Sequence, residues 1–256
     1  AMGPLLWYAA ASACAGVASV TAAVYLQPLF VMRVLAWYFP RVLWRVPQKD
    51  GSGPGRKKVV ALTIDDAPSR HAGAILDLLK EYGFHATFFI IQSYAQKRRQ
   101  LVLRMLDEGH ELGNHMVRDR PSLKLSSAEF RESFQKCHDF LEDVHSEHSE
   151  SRHLVADGQA SRPLYFRPAS GYFSTRMLDH VERKGYRTVL GSCYPHDPQI
   201  PLAWLNYWRI RLMLREGDII IIHDRAWTAP MLQMLLPWLA ASGFSCCTVS
   251  EACKSN

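Results

Sequence analysis

The chain has 256 residues, 48% of them hydrophobic, so it can form one large domain with an appendage and is not mainly disordered. The formal charge of +6 includes many cations close to an apolar N-terminal stretch, which favours membrane headgroups over nucleic acid as the anionic partner. The six cysteines show no CxxC pair and no disulfide-framework spacing, which disfavours an oxidising compartment.

The first predicted element is a hydrophobic helix within residues 1–32, where no charged residue occurs. Its apolar part, residues 5–30, exceeds the roughly 20 residues that a helix needs to cross a bilayer. We therefore predict a single-pass membrane anchor. The alternatives are a secretory signal, although no basic residue precedes the apolar core, and a helix buried on the flank of the following domain.

Residues 33–57 are predicted to be a juxtamembrane segment that ends in a linker. Trp37, Tyr38 and Trp44 alternate with arginines, a mixture that is typical of a membrane interface. The nearby cations all follow the span, so the positive-inside rule predicts that the following domain faces the cytoplasm, with the secretory lumen or the cell surface as alternatives. Residues 48–55 have linker composition and mark a domain boundary.

Residues 58–256 alternate between strand-like and helix-like stretches. Repeated βα units imply parallel strands with helices outside them, and about seven units favour a barrel over a doubly wound sheet. Residues 144–163 are polar and are predicted to form a surface loop. The strand candidates are residues 59–64, 86–91, 111–115, 164–167, 188–191, 218–223 and 246–249; the helix candidates are residues 72–82, 97–108, 127–144, 174–184, 202–214 and 229–241.

The first predicted strand ends in two adjacent carboxylates, Asp65 and Asp66. Neighbouring carboxylates repel each other unless a cation or a proton separates them, so this pair indicates a metal site with one acid left for proton transfer. The alternative is a solvated turn in which Asp66 or Ser69 caps the next helix.

Polar residues also stand at the ends of later strands. His115 and Asp119 are four residues apart, where a helical turn would place both on one face. With Asp66 they would supply three metal ligands and leave a position for water, as in a catalytic metal centre. His223 ends a strand of four isoleucines. A lone histidine there is usually a core residue, but several polar strand ends together favour a site.

The order of these motifs resembles that of the polysaccharide deacetylase family, the NodB-homology enzymes of carbohydrate esterase family 4. The resemblance covers about residues 58–250. It implies a distorted (β/α) barrel, a divalent metal that is usually zinc, and removal of acetyl groups from N-acetylated sugars. The matching stretches are Thr63-Ile64-Asp65-Asp66, His115 with its partner four residues on, Arg167-Pro168 with Gly171-Tyr172, and Ile221-Ile222-His223.

The resemblance also implies a role for each matching residue. Asp65 corresponds to the general base, and Arg167 to the residue that orients this base. Asp66 and His115 correspond to metal ligands. His223 corresponds to the general acid that protonates the departing amine.

One departure from the family pattern concerns the metal. The family has a second histidine in its His-x-x-x-His motif, and this chain has Asp119. Two carboxylates and one imidazole leave less positive charge on a bound water, so we expect its pKa to be higher or cobalt, manganese or iron to replace zinc. The alternative is that Asp119 does not bind metal and that the chain is a catalytically impaired, membrane-tethered carbohydrate-binding relative.

A second departure lies in residues 191–198, where the family carries an aspartate near a tryptophan. Asp197 is predicted to pair with Arg167 and His196 to face the substrate. Pro195 and Pro198 also allow a plain turn with Asp197 as its polar residue.

Tyr172 and Phe173 are predicted to bind the substrate by offering an apolar wall to a sugar ring, with core packing as the alternative. Asp197 and Asp224 are predicted to have supporting roles. Asp224 is predicted to bond a neighbouring loop or to orient His223. The sequence as a whole predicts a metal-dependent deacetylase of an amino-sugar polysaccharide or glycolipid, such as a chitin-type N-acetylglucosamine substrate. A membrane scaffold protein is the remaining alternative, and it would leave the polar strand ends unexplained.

Overall fold

The computed structural model describes residues 29–47, 57–151 and 162–254, together with Gly16. The chain divides into an N-terminal unit, residues 1–40, and a larger unit that begins at Arg41. In the described part of the first unit, helix α1 spans Leu29–Tyr38. The second unit contains the sheet and the helices that follow.

The sheet is built from eight strands that pair in parallel. Seven of them correspond to the strands predicted from sequence, which confirms the parallel α/β class. The strands are β1 (Val42–Leu43), β2 (Lys58–Ala67), β3 (Thr87–Ile90), β4 (Glu111–Asn114), β5 (Leu164–Phe166), β6 (Tyr186–Val189), β7 (Ile219–His223) and β8 (Phe244–Cys247).

Helices alternate with these strands and bury one face against the sheet. In α2, the buried Ile75, Leu76 and Leu79 recur at helical spacing and form this apolar stripe. The helices are α2 (Ala72–Glu81), α3 (Gln92–Ala95), α4 (Arg99–Asp107), α5 (Ser127–Ser151), α6 (Thr175–Arg183), α7 (Ala203–Met213), α8 (Thr228–Ala241) and α9 (Val249–Lys254), with short 3-10 turns at Gln96–Arg98 and Ser122–Lys124.

The strand order, β1-β6-β5-β4-β3-β2-β7 with β8 also on β2, produces a distorted barrel. The chain beyond β6 closes the ring, because Cys193 forms a parallel bridge with Ile220 of β7. Gly191 makes this approach possible: a Cβ there would lie 2.6 Å from the Ile219 carbonyl oxygen. The strands from β2 to β7 therefore surround a common interior, with β1 and β8 attached to β6 and β2.

The core lies between the sheet and its surrounding helices. Leu62, Ile64, Phe88, Ile220 and Ile222 have no exposed surface. Each side chain of this size contributes about 1.5–3 kcal/mol when it is fully buried. The apolar run that precedes Asp65 and Asp66 therefore anchors β2 at the centre of the domain.

Strand β1 corrects part of the interpretation of residues 33–57. Val42, Leu43 and Val46 are buried, and Val42 pairs with Thr188 of β6. The Arg45 guanidinium lies 3.3 Å from a carboxylate oxygen of Asp218. Residues 42–46 therefore belong to the domain, and their assignment to a membrane interface is wrong.

The predicted membrane anchor, residues 1–32, lies almost entirely outside the described residues. Within the described ranges, no helix is both long enough and apolar enough to span a bilayer. The predicted loop over residues 144–163 needs a correction, because α5 continues as far as Ser151.

Candidate active site

The polar strand ends predicted from sequence meet at one edge of the barrel. Asp65 and Asp66 lie near the carboxyl end of β2, His115 directly follows β4, Arg167 directly follows β5, and His223 ends β7. Carboxyl ends of parallel strands share one edge, which is where barrel enzymes carry their active sites. This shared edge is the candidate active site.

A distortion at the end of β2 brings two consecutive carboxylates to the same side. In a regular strand, neighbouring side chains point to opposite faces. Here the register with β3 shifts between Ile64 and Ala67, and Asp66 has a φ of 61°. As a result, Nε2 of His115 lies 3.5 Å from one oxygen of Asp66 and 4.0 Å from one of Asp65.

Backbone strain is concentrated around this edge. Four non-glycine residues in the described ranges have positive φ: Asp66, Met116, Ser170 and His196 at 61°, 74°, 71° and 63°. They lie at the end of β2 or in the segments that follow β4, β5 and β6. Such conformations cost of order 1–3 kcal/mol each and cluster at functional sites. Their distribution supports the choice of this edge.

Asp65 is held by a buried arginine. Nη1 of Arg167 donates to Oδ1 of Asp65 at 2.5 Å and to the Thr63 hydroxyl at 2.8 Å. The other guanidinium nitrogens donate to the carbonyl oxygens of Val189 and Leu190 at 3.0 and 3.2 Å. A guanidinium with this many fixed partners cannot turn away from Asp65, so the carboxylate is both oriented and kept near a positive charge.

The orientation of His115 is set by the backbone of β5. Its Nδ1 lies 2.7 Å from the Arg167 carbonyl oxygen, which can only accept, so Nδ1 carries a proton and Nε2 faces the two carboxylates. Burial lowers the pKa of His115, but Asp65 and Asp66 outweigh burial, and the net shift is upward. His115 therefore interacts electrostatically with both carboxylates, more closely with Asp66 than with Asp65.

Asp66 is also paired with an arginine that the sequence analysis did not identify. Nη2 of Arg225 donates to Oδ2 of Asp66 at 2.5 Å and lies 3.3 Å from Oδ2 of Asp119. Burial raises the pKa of Asp66, but the contact with His115 and the charges of His115, His223 and Arg225 outweigh it and lower the pKa to about 2. The position of Arg225 directly after His223-Asp224 was the signal that could have revealed it.

The predicted metal ligands are only partly assembled. Asp66 and His115 lie together, whereas Asp119 is 41% exposed and reaches them only through Arg225. Across the described ranges, no three His, Cys, Asp or Glu side chains are grouped so that they could hold a metal ion. This arrangement therefore does not fit a centre with three protein ligands.

The predicted helical turn between His115 and Asp119 is wrong. Residues 115–120 are not helical, because Met116, with a φ of 74°, leaves the right-handed helical region directly after His115. Without a helical turn, residues four apart do not share a face. This is why Asp119 lies apart from His115.

Asp197 pairs with His223, which corrects the predicted pairing with Arg167. Oδ1 of the fully buried Asp197 lies 3.0 Å from Nδ1 of His223, and Oδ2 accepts the backbone N–H of His223 at 3.0 Å. Burial lowers the pKa of His223, but the hydrogen bond and charge of Asp197 reverse this effect and raise it. Asp197 therefore favours the protonated form of His223 and contacts its Nδ1, not its Nε2.

Asp224 bonds a neighbouring loop. Its two oxygens accept from the backbone N–H and the hydroxyl of Ser69, at 2.5 and 2.6 Å. This contact ties the end of β7 to the turn that follows Asp65 and Asp66. Asp224 therefore acts on the loop and not directly on His223.

The three predicted substrate-contacting residues differ in exposure. Tyr172 is 68% exposed, whereas Phe173 is half-buried against an apolar cluster that includes Met116. The ring of His196 packs against Tyr194, with 4.4 Å between ring centroids. The ring of Tyr194 also lies 6.0 Å from the ring of His223, so Tyr194 stands between His196 and His223 in a chain of ring contacts.

Comparisons with known proteins identify the family of this chain. A family model described as polysaccharide deacetylase matches residues 52–189, more than half of the chain. A peptidoglycan-N-acetylglucosamine deacetylase of Bacillus cereus is 31% identical over 221 residues, which cover 82% of this chain and 92% of the relative.

Solved structures show the same architecture. The peptidoglycan deacetylase PdaC of Bacillus subtilis has a TM-score of 0.67 at 27% identity, covering 78% of this chain and 92% of that one. A family 4 acetyl xylan esterase of Clostridium thermocellum, in complex with cobalt, has a TM-score of 0.66 at 25% identity, covering 77% and 91%. This chain therefore belongs to the polysaccharide deacetylase family, and so to the hydrolases that act on carbon–nitrogen bonds of linear amides.

Proposed function

We propose that this chain hydrolyses the N-acetyl amide of an amino sugar in a polymer, with Asp65 as general base and His223 as general acid. The observation that carries this proposal is that each group has its own buried partner, Arg167 for Asp65 and Asp197 for His223. Asp65 and His223 are also cross-strand neighbours in the register of β2 and β7. A fixed carboxylate beside a fixed imidazolium suits a reaction with two proton transfers.

The proposed reaction proceeds in two steps. Asp65 takes a proton from a water molecule while the water oxygen attacks the amide carbonyl carbon. His223 then donates a proton to the sugar nitrogen as the C–N bond breaks, which yields acetate and a free amine. Arg167 holds the Asp65 carboxylate in a fixed orientation, and Asp197 stabilises the imidazolium of His223 before the proton leaves.

Metal dependence is a property of the family's deacetylases, and zinc, cobalt, manganese and iron are the ions considered for this chain. Asp66 and His115 supply two suitable donors. Since Arg225 stands between Asp66 and Asp119, no step of the proposed reaction passes through a metal. The identity of the metal and the role of Asp119 as a ligand stay predictions.

The proposed substrate class is an N-acetylated amino-sugar polymer, either a glycan of the peptidoglycan or chitin type or a glycolipid-linked form. The relatives named above as peptidoglycan deacetylases support this choice. The test is acetate release from N-acetylglucosamine oligomers and from peptidoglycan, each with and without added Zn²⁺ or Co²⁺. Acetylated xylan serves as an ester substrate that separates amide from ester hydrolysis.

The variants D65N and H223A provide the matched controls for this test. We expect each to lower the rate by about 100-fold or more, because each removes one proton-transfer group. No acetate from any amide, or a wild-type rate in D65N, would overturn the assignment. Thermal unfolding of both variants checks that the fold is retained.

A carbohydrate-binding relative without catalysis is the second candidate function, and the pairing of Asp119 with Arg225 favours it. In that case the protein would bind N-acetylglucosamine oligomers without releasing acetate. Isothermal titration with the oligomers, combined with the acetate assay, separates the two functions.

Residues 1–32 are proposed to tether the enzyme to a membrane, because this stretch carries no charge and is followed by basic residues. Retention in the membrane fraction after alkaline carbonate extraction would support the tether, and release into the supernatant would reject it. A C-terminal reporter that is glycosylated or protected from protease in sealed microsomes would reject the cytoplasmic orientation.

A further inference from the structure

We propose that Arg225 is a built-in cation that competes with a divalent metal for Asp66 and Asp119. This inference concerns the same site as the proposed function and rests on it for the identity of the metal ligands. Its subject is metal binding alone, so it can be measured without substrate.

The contacts of Arg225 carry the first step. One guanidinium nitrogen bonds Oδ2 of Asp66 at 2.5 Å and lies 3.3 Å from Oδ2 of Asp119. It therefore bridges the only two carboxylates that were predicted as metal ligands. The Arg225 side chain is 28% exposed, so it reaches solvent on one side.

The second argument for competition is the balance of charges in the site. Three carboxylates, Asp65, Asp66 and Asp119, face two guanidiniums, Arg167 and Arg225. The internal cations thus cancel most of the negative charge that would otherwise attract a divalent ion. Like charges at short distance repel strongly in a partly buried site, so a metal at Asp66 and His115 would be opposed while Arg225 remains.

The third argument for competition is the position of Asp119. Its carboxylate is 41% exposed and belongs to a non-helical segment outside the strands. The contact with Arg225 occupies one oxygen of this carboxylate. Removal of the guanidinium frees Asp119 to become a third ligand, so Arg225 weakens metal binding both by repulsion and by occupying a donor.

The test is direct titration of the full chain, stripped of metal by dialysis against chelator, with Zn²⁺ and Co²⁺. We expect R225M to bind both ions at least about tenfold more tightly than wild type, because it keeps an unbranched apolar stem and loses the charge. The visible absorption of Co²⁺ reports the number and type of ligands independently of catalysis. The control R176M removes the same charge from an exposed position on α6 and should bind like wild type.

A double-variant cycle tests the role of Asp119. The substitution D119A should weaken metal binding strongly in the R225M background and only slightly in the wild-type background, because Asp119 is a ligand only after Arg225 has gone. The variant R225K keeps the charge without the planar fork and should bind metal with intermediate affinity.

The outcomes are decisive in either direction. Equal or weaker metal binding by R225M overturns the proposal, as does an equal effect of D119A in both backgrounds. If R225M fails to fold, a metal affinity of R225K equal to that of wild type overturns it instead. Absence of acetate release would count against the proposed function and leave the metal titrations interpretable.

Discussion

The pairing of Asp197 with His223 yields a quantitative prediction for the variant D197N. Asp197 makes two hydrogen bonds to His223, one to Nδ1 and one to the backbone N–H, both at 3.0 Å. An asparagine can keep the bond from the backbone but loses the charged acceptor for Nδ1–H. A hydrogen bond to a charged group contributes about 1.5–3 kcal/mol, which corresponds to about 1–2 pKa units.

The direction of the effect follows from the raised pKa of His223. Because Asp197 stabilises the imidazolium, D197N should lower this pKa and leave His223 unprotonated at pH values where the wild type still carries the proton. The basic limb of the pH–rate profile should move about 1–2 units towards lower pH, and the rate above it should fall about 10- to 100-fold. At pH values well below the limb, the two rates should converge.

The assay is acetate release from N-acetylglucosamine oligomers across the pH range, with kcat and kcat/KM measured at each pH. The control D224N replaces the neighbouring buried aspartate, which bonds Ser69 and not His223, so its basic limb should stay at the wild-type position. Circular dichroism during heating verifies that both variants fold. Superimposable pH profiles of D197N and wild type would refute the role of His223 as a general acid supported by Asp197.

Three further predictions concern stability, and denaturant unfolding measures each of them. Burial lowers the pKa of His110 to about 4, so this histidine binds a proton more readily in the unfolded chain than in the folded one. About 3 kcal/mol of folding stability should therefore be lost as the pH falls from about 6.5 to 4. The variant H110N should flatten the dependence of stability on pH, and an unchanged dependence would contradict the prediction. T63V removes a hydroxyl that accepts a hydrogen bond from Arg167, and it should lower the folding stability by about 1–3 kcal/mol. A loss below about 0.5 kcal/mol would argue against the importance of the buried hydrogen bonds of Arg167. G191A should lower the folding stability by at least about 1–3 kcal/mol, because its Cβ would lie 2.6 Å from the backbone of β7. The control G73A, whose nearest contact would be at 3.9 Å, should be neutral or stabilising. Equal effects of the two substitutions would contradict the closure of the barrel at Gly191.

The sequence predicted the seven main strands because apolar runs of strand length end in polar residues, as in β2 and β7. It could not predict β1, since two residues carry no periodic signal and their strand structure comes from pairing with β6. The sequence also predicted a common edge for Asp65, His115, Arg167 and His223, because each lies near the carboxyl end of a predicted strand. These positions follow from local pattern and from the geometry of parallel sheets.

The pairings within the site were harder to predict than its members. Asp197 could reach either Arg167 or His223, and the choice depends on a loop in which His196 has a φ of 63°. Arg225 lies two residues after His223, the predicted general acid, in the sequence. Only the fold shows that its guanidinium bonds Asp66. Side-chain direction after a strand end is a tertiary property, which sequence spacing does not encode.

The length of α5 shows the same limit at the surface. Its last turns, up to Ser151, are polar and were predicted as loop. Contacts with another helix stabilise this part of α5: Arg99 of α4 forms ion pairs with Asp143 and Glu147 at 2.8 and 2.5 Å. A periodic apolar stripe was therefore not needed to extend this helix.

The closure of the barrel has a consequence for the support of His223. The chain after β6 is joined to β7 by the bridge of Cys193 with Ile220, by three backbone hydrogen bonds and by the Ser192–Asp218 hydrogen bond, and Asp197 lies only four residues beyond Cys193. We expect local opening between Cys193 and Ile220 to separate Asp197 from His223 as well, because Asp197 belongs to the same segment. Amide hydrogen exchange at Ser192 and Ile221, whose N–H groups bond across this contact, would measure how often it opens.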